Sequence, residues 1–127
     1  MSETGDLGKL YHDSEVIIQQ GEVGNCMYVI QDGQVEILLE DGDKQVRLAV
    51  KGRGEIIGEM ALFDREVRSA TVRAVGQARL LTVDKKNFLR RVSSDPSLAL
   101  RVTETMSQRI RDLNAEVARL KNELLGK

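Results

Sequence analysis

Between Asp84 and Pro96 the sequence changes its period, and that change limits the folds open to the chain. Before it, short apolar runs alternate with turn residues. EVIIQQ leads to a turn at GEVGN (21–25), and CMYVIQ leads to Asp32-Gly33, which reads as a tight hairpin turn. QVEILLE follows, with Val35, Ile37 and Leu39 on one face, and DGDK (41–44) makes the next turn. QVRLAV alternates Val46, Leu48 and Val50, and SATVRAV and ARLLTVD read as two further strands. Short strands at this spacing predict a sandwich or barrel.

After the change the pattern is helical. KKNFLRRVSS predicts a short helix over 85–93, capped by Asp84. Ser94 or Asp95 before Pro96 makes a helix start, and no Gly or Pro interrupts the run to Leu125. Met106, Ile110, Leu113, Val117, Leu120 and Leu124 follow spacings of 4, 3, 4, 3 and 4, a heptad seam. Ile110, Val117 and Leu124 occupy a positions, with Met106, Leu113 and Leu120 at d. β-branched residues at a with Leu at d favour a parallel two-stranded coil, with Glu116 at g facing the Lys121 e position of a partner. The alternative is that the seam packs back on its own domain.

A chain of 127 residues predicts one domain with a core that needs no staples. With no Trp, two Tyr and two Phe, that core must be mainly aliphatic. The formal charge of −1 lacks the basic excess of a nucleic-acid or membrane-surface protein, so neither is an expected partner. Cys26 is the single cysteine, which fits a reducing compartment. The start, MSETGDLGKLYHDSE, lacks an apolar signal core, and no run has the length of a membrane span. The expected location is the cytoplasm.

Enzyme chemistry is poorly supplied. His12 is the only histidine, too few for a metal site on strands or for a Ser-His or Cys-His device, and it reads as a solvated surface residue. Cys26 opens an apolar strand and reads as a small hydrophobe. Gly52, Gly54 and Gly58 do not have dinucleotide-binding spacing, and no βαβ unit surrounds them. No metal and no catalytic residues are expected.

The densest segment is GEIIGEMALFDREVRSATVRA, residues 54–74. Gly58 permits a sharp turn and close backbone approach. EMALF suits a helix of one or two turns, whose first N–H groups, from Met60 and Ala61, can meet an anion. Arg68 can fork onto a phosphate, and Ser69 adds a hydroxyl. Glu59 can accept from a sugar hydroxyl. Together these describe a ribose phosphate. A surface salt bridge between Glu59 and Arg68 is the competing reading.

The same segment resembles the phosphate-binding cassette of cyclic nucleotide-binding domains. It matches at Gly58, Glu59, Met60, Ala61, Leu62, Arg68, Ser69, Ala70, Thr71 and Val72. QQGEVGNCMYVIQDGQVEIL is similar to that family's early hairpins, so the likeness covers roughly residues 12–120. It implies an antiparallel β-roll of the jelly-roll kind over 12–84, with helices over 85–93 and 96–125, within one domain. It implies that Arg68 pairs with the cyclic phosphate with help from Ser69, and that Glu59 accepts the ribose 2′-hydroxyl. Gly58–Ala61 and Ala70 line the cradle. Ile37 and Leu48 are similar in position to apolar walls around the base, with Arg109, Ile110, Leu113 and Asn114 on the closing helix. Leu113 and Asn114 depart from the hydroxyl residues that catabolite-activator-type relatives present to adenine.

The resulting expectation is a sensor module, not an enzyme. It would bind cAMP more readily than cGMP, form a homodimer through 106–124, and signal to an effector by movement of its last helix. The alternatives are a dimerisation module with a non-functional pocket, or the ligand-binding half of a transcription regulator.

Overall fold

The computed structural model describes residues 7–126. Strands β1 (Lys9–Tyr11), β2 (Val16–Ile18), β3 (Val23–Gly24), β4 (Cys26–Asp41), β5 (Lys44–Gly52) and β6 (Ile56–Ile57) precede a short helix, α1 (Met60–Phe63). Strands β7 (Glu66–Val67) and β8 (Thr71–Asp84) follow, then α2 (Lys85–Ser94) and α3 (Ser97–Leu125). This is the expected fold class, an antiparallel β-roll followed by helices. The main sheet runs β1-β8-β4-β5, with β2 added on β8 and β6 on β4, and β3 and β7 form a separate two-stranded ribbon.

The reading of Asp32-Gly33 as a hairpin turn is corrected. The chain does not reverse there, because β4 continues through both residues and stays paired with β8 from Cys26↔Asp84 to Leu38↔Thr71. The register shifts on either side of Asp32, at Ile30/Asp32 and Asp32/Gln34. Gly33 has φ +83°, and a Cβ there would stand 2.2 Å from the Gln77 carbonyl oxygen. Such a residue makes a bulge that bends a strand. Gly76, at φ +68°, lies in β8 close to the same irregularity, so both strands bend together. For the same reason SATVRAV and ARLLTVD form one strand, β8, not two. Ser69 and Ala70 lie outside it.

The core of the roll is aliphatic, as the composition requires. Ile18, Ile30, Val35, Ile57, Val72 and Leu80 cluster with Tyr11, Ala74 and Ala78. The alternation read in 35–39 holds only in part. Val35 is fully buried and Ile37 packs on the core, but a register shift between Ile37 and Leu38 turns Leu38 inward and leaves Leu39 41% exposed. Val46, Leu48 and Val50 are exposed on β5, which ends the sheet and pairs with β4 alone.

Two polar clusters tie the strands. Glu36 in β4 accepts from Arg47 Nη2 at 2.8 Å and from Arg73 Nε at 2.5 Å, bridging β5 and β8. These guanidinium donors hold the Glu36 carboxyl below the usual carboxylate range, with Arg73 the larger influence. Thr71, 2% exposed, donates its hydroxyl to Glu40 and accepts from the Gln20 N–H at 3.0 Å.

The chain divides into two compact units, the second beginning at Arg91. Asp84 caps α2 as expected, its Oδ1 accepting from the Asn87 N–H at 2.8 Å. Just ahead of α3, Asp95 Oδ1 accepts from the Ser97 N–H at 3.1 Å, while Pro96 holds the N-cap position. In α3, Leu98 and Val102 are buried, whereas Ile110, Leu113, Val117, Leu120 and Leu124 are exposed. Glu116 is held by Arg119 of its own helix, which also reaches Glu123. Among the described residues no helix is long and apolar enough to cross a membrane.

Candidate functional site

The site grows from the link between β6 and β7. Ile56 and Ile57 pair with Val29 and Tyr28 of β4, which fixes where the chain leaves the sheet. Gly58 then takes φ +74°, a left-handed conformation that turns the chain sharply into α1. Ala61 and Leu62 are buried and anchor the helix, while Glu59 at its N-cap is 4% exposed. The Ala61 N–H donates to the Gly58 carbonyl at 3.2 Å. Of the two helix-start donors expected for an anion, that one is therefore engaged inside the cassette. Phe63 closes α1 with an edge contact to Phe88 of α2, ring centroids 6.2 Å apart.

Arg68 comes back to the same place from the other side. Its main chain extends the β3–β7 ribbon: the Arg68 N–H donates to the Glu22 carbonyl at 2.8 Å, and its carbonyl accepts from Gly21 at 2.9 Å. The half-buried guanidinium spans to the cassette. Nη2 donates to the Cys26 carbonyl at 2.7 Å and Nη1 to the Gly58 carbonyl at 3.4 Å. Both of these acceptors are main-chain oxygens, joined by a longer contact to Cys26 Sγ, and among the described residues the salt bridge to Glu59 that competed for this segment does not form. A guanidinium has five donors, so others remain to meet an anion.

The neighbours of Arg68 include two residues to which the sequence assigned no part in the site. Cys26 supplies the carbonyl, and its Sγ lies 3.9 Å from Arg68 Nη2. Tyr28 sits close by; burial, then a hydrogen bond with the Cys26 side chain, push its phenol up to about 12. Nothing in the sequence pattern marks Cys26 as a partner of Arg68, because the shorter contact is made by a backbone oxygen. Thr71 was legible as a cassette match, but its bond to Glu40 was not.

Gly58, Glu59, Met60, Ala61 and Arg68 are brought together by the Gly58 turn and the ribbon. Ser69 is exposed and Ala70 half-buried, just ahead of β8. Ile37 lies opposite Ala49 of β5 and Val72 of β8, the last residue of the cassette match. Leu48, at the register shift in β5, is 56% exposed. Arg109 and Asn114 are exposed positions of α3 in the second unit.

Comparison with known proteins gives a consistent result. The family model described as cyclic nucleotide-binding domain matches residues 9–95. A candidate potassium channel protein of Rhodopseudomonas palustris is 38% identical over 110 residues, 86% of this chain and 26% of its own length. The cyclic AMP receptor protein of Thermus thermophilus is 30% identical over 110 residues, 86% of this chain and 51% of its own. The chain thus spans about half or less of the curated relatives it matches. Among solved structures, the Thermus thermophilus catabolite activator protein superposes with a TM-score of 0.79 at 30% identity, covering 91% of this chain and 55% of that one. The cAMP-bound form of the EAL enzyme Bd1971 gives 0.62 at 34% identity, with 94% of this chain and 33% of that one covered. Its cGMP-bound form gives 0.61 at 36%, with 82% and 28% covered.

Proposed function

The chain belongs to the cyclic nucleotide-binding domain family, and on that premise we propose that it is a cytoplasmic sensor module, not an enzyme, that takes cAMP in preference to cGMP. Arg68, assisted by Ser69, receives the cyclic phosphate. Glu59 accepts the ribose 2′-hydroxyl, and Gly58–Ala61 with Ala70 cradle the sugar phosphate. Ile37 and Leu48 border the base, and Arg109 and Asn114 of α3 read it.

The observation that carries this reading is the placement of Arg68. Its half-buried guanidinium is anchored by two carbonyls, with its charge uncompensated by Glu59, and it sits one residue from that buried carboxylate at Gly58. A fixed cation with donors to spare and a separate buried acceptor suits a ligand that is anionic at one end and hydroxylated at the other. The preference for cAMP rests on the relative named as a cyclic AMP receptor. Ser69 is compatible with either base.

The output is a population shift in which occupancy biases α3. The exposed seam from Ile110 to Leu124 supports a parallel homodimer as the form that carries it, with an unidentified effector downstream. Calorimetric titration of the purified chain with cAMP and cGMP tests the reading. Saturable binding, tighter for cAMP, is expected. No heat with either nucleotide, and no displacement of a fluorescent cyclic nucleotide, would refute it.

A further inference from the structure

The Arg68 guanidinium lies close against Gly24 of β3. A Cβ built on Gly24 would stand 2.1 Å from Arg68 Nε and 2.3 Å from its Cζ, far inside ordinary contact distance. A Cβ on Gly58 would likewise stand 2.6 Å from Nη1. The guanidinium occupies a slot left by these two bare Cα atoms, and its Nη2 donates to the Cys26 carbonyl. Gly58 is explained by its left-handed φ as well, but Gly24 is not among the residues with positive φ. A left-handed φ therefore does not account for a glycine at 24. Clearance for Arg68 does.

The ribbon cannot easily give way to a side chain at this position. Gly24 pairs with Glu66, Val23 with Val67, and the Arg68 N–H with the Glu22 carbonyl, so the backbone carrying the slot also carries Arg68. The flexible part is the guanidinium. We infer that Gly24 is a positioning residue: its missing side chain lets Arg68 lie along β3 and hold its remaining donors toward the cassette. A methyl group there swings the guanidinium out and leaves the fold in place. The consequence for binding rests on the reading of Arg68 as the phosphate partner. The slot itself does not.

The test separates the two. In the ligand-free protein, the Nε–H resonance of Arg68, assigned from its loss in Arg68→Lys, is compared between wild type and Gly24→Ala. Gly52→Ala is the control, since a Cβ at Gly52 meets nothing closer than 3.8 Å. A displaced, mobile Nε–H in Gly24→Ala alone is expected; an unchanged resonance overturns the slot whether or not any nucleotide binds. In the binding arm, Gly24→Ala weakens cAMP at least about tenfold, and has less than about a twofold effect once Arg68 is already Ala. A loss that persists in full beside Arg68→Ala overturns the positioning role. Absence of nucleotide binding by wild type overturns the proposed function and leaves the resonance to decide the slot. If Gly24→Ala fails to fold, the double variant with Arg68→Ala must recover folding, and failure to recover it overturns the inference.

Discussion

Arg68 Nη2 donates to the Cys26 carbonyl at 2.7 Å, so the guanidinium is held from β4 and not by a neighbouring carboxylate. This arrangement sets the cost of losing it. With the proposed ligand bound, Arg68→Ala leaves an anion in a half-buried site without its fork. Affinity for cAMP should fall by about 2–5 kcal/mol, or roughly 30-fold at the least. Arg68→Lys should recover little, because an ammonium cannot bond bidentately. Calorimetry showing wild-type affinity in Arg68→Ala would remove the phosphate role.

Glu59 is buried at the N-cap of α1, where a carboxylate can only accept hydrogen bonds. If it takes the ribose hydroxyl, Glu59→Gln and removal of that hydroxyl are two ways of losing one bond. Glu59→Gln should weaken cAMP by about 1.5–3 kcal/mol, the range for a hydrogen bond to a charged group. It should weaken 2′-deoxy-cAMP much less. Equal losses for the two nucleotides would assign Glu59 a folding role only.

The fold class, the helix starts at Asp84 and Asp95, and the cassette residues were legible in the sequence because each is a local signal. A cap, a period and a contiguous match need no knowledge of what lies across the sheet. The bent continuity of β4 was not legible. Asp-Gly is the strongest short signal for a reversal, and only pairing with the second bend near Gly76 makes Gly33 a bulge instead. The partners of Arg68 were hidden for a related reason. Backbone carbonyls carry no residue identity, so neither Cys26 nor the bare Cα of Gly24 leaves a mark in a pattern of side chains.

Tyr11 and Tyr28 are the only tyrosines, so tyrosinate absorbance reads these two groups alone. Burial is the main cause that raises both, Tyr28 to about 12. An acid with a raised folded pKa stabilises fully below its unfolded value, near ~10, and the contribution is lost as pH rises toward the folded value. Stability should therefore decline between pH ~10 and about 12. Absorbance followed together with circular dichroism should show the folded protein titrating above the urea-unfolded chain. Coincident curves would contradict the burial of both phenols.

Glu36 links three strands through Arg73 and Arg47. Its depressed pKa gives a contribution that is present above the unfolded carboxylate range and lost as pH falls through the folded value. The Arg47 side chain is 56% exposed, which screens its half of the cluster. Glu36→Gln should cost about 1–2 kcal/mol at neutral pH, below the figure for a fully buried pair. Because the variant no longer titrates there, its deficit should shrink on acidification. A pH-independent deficit in urea melts would assign the loss to packing.

The α3 seam gives the last prediction. Ile110 and Val117 are 57% and 49% exposed, and Leu113 and Leu120 are 56% and 46% exposed. A row of apolar residues at heptad spacing is covered when a second helix supplies the same row, and β-branched a positions with Leu at d select two strands. Glu116 is already engaged by Arg119, so pairing across the seam must come from the apolar residues more than from charge. Sedimentation of the wild-type chain should give a dimer. Ile110→Glu with Val117→Glu should give a monomer, since each places a charge at an a position. The roll should still melt as before, because neither residue belongs to its core. A wild-type chain that sediments as a monomer, with and without cAMP, would end the dimer proposal and leave the cassette readings untouched.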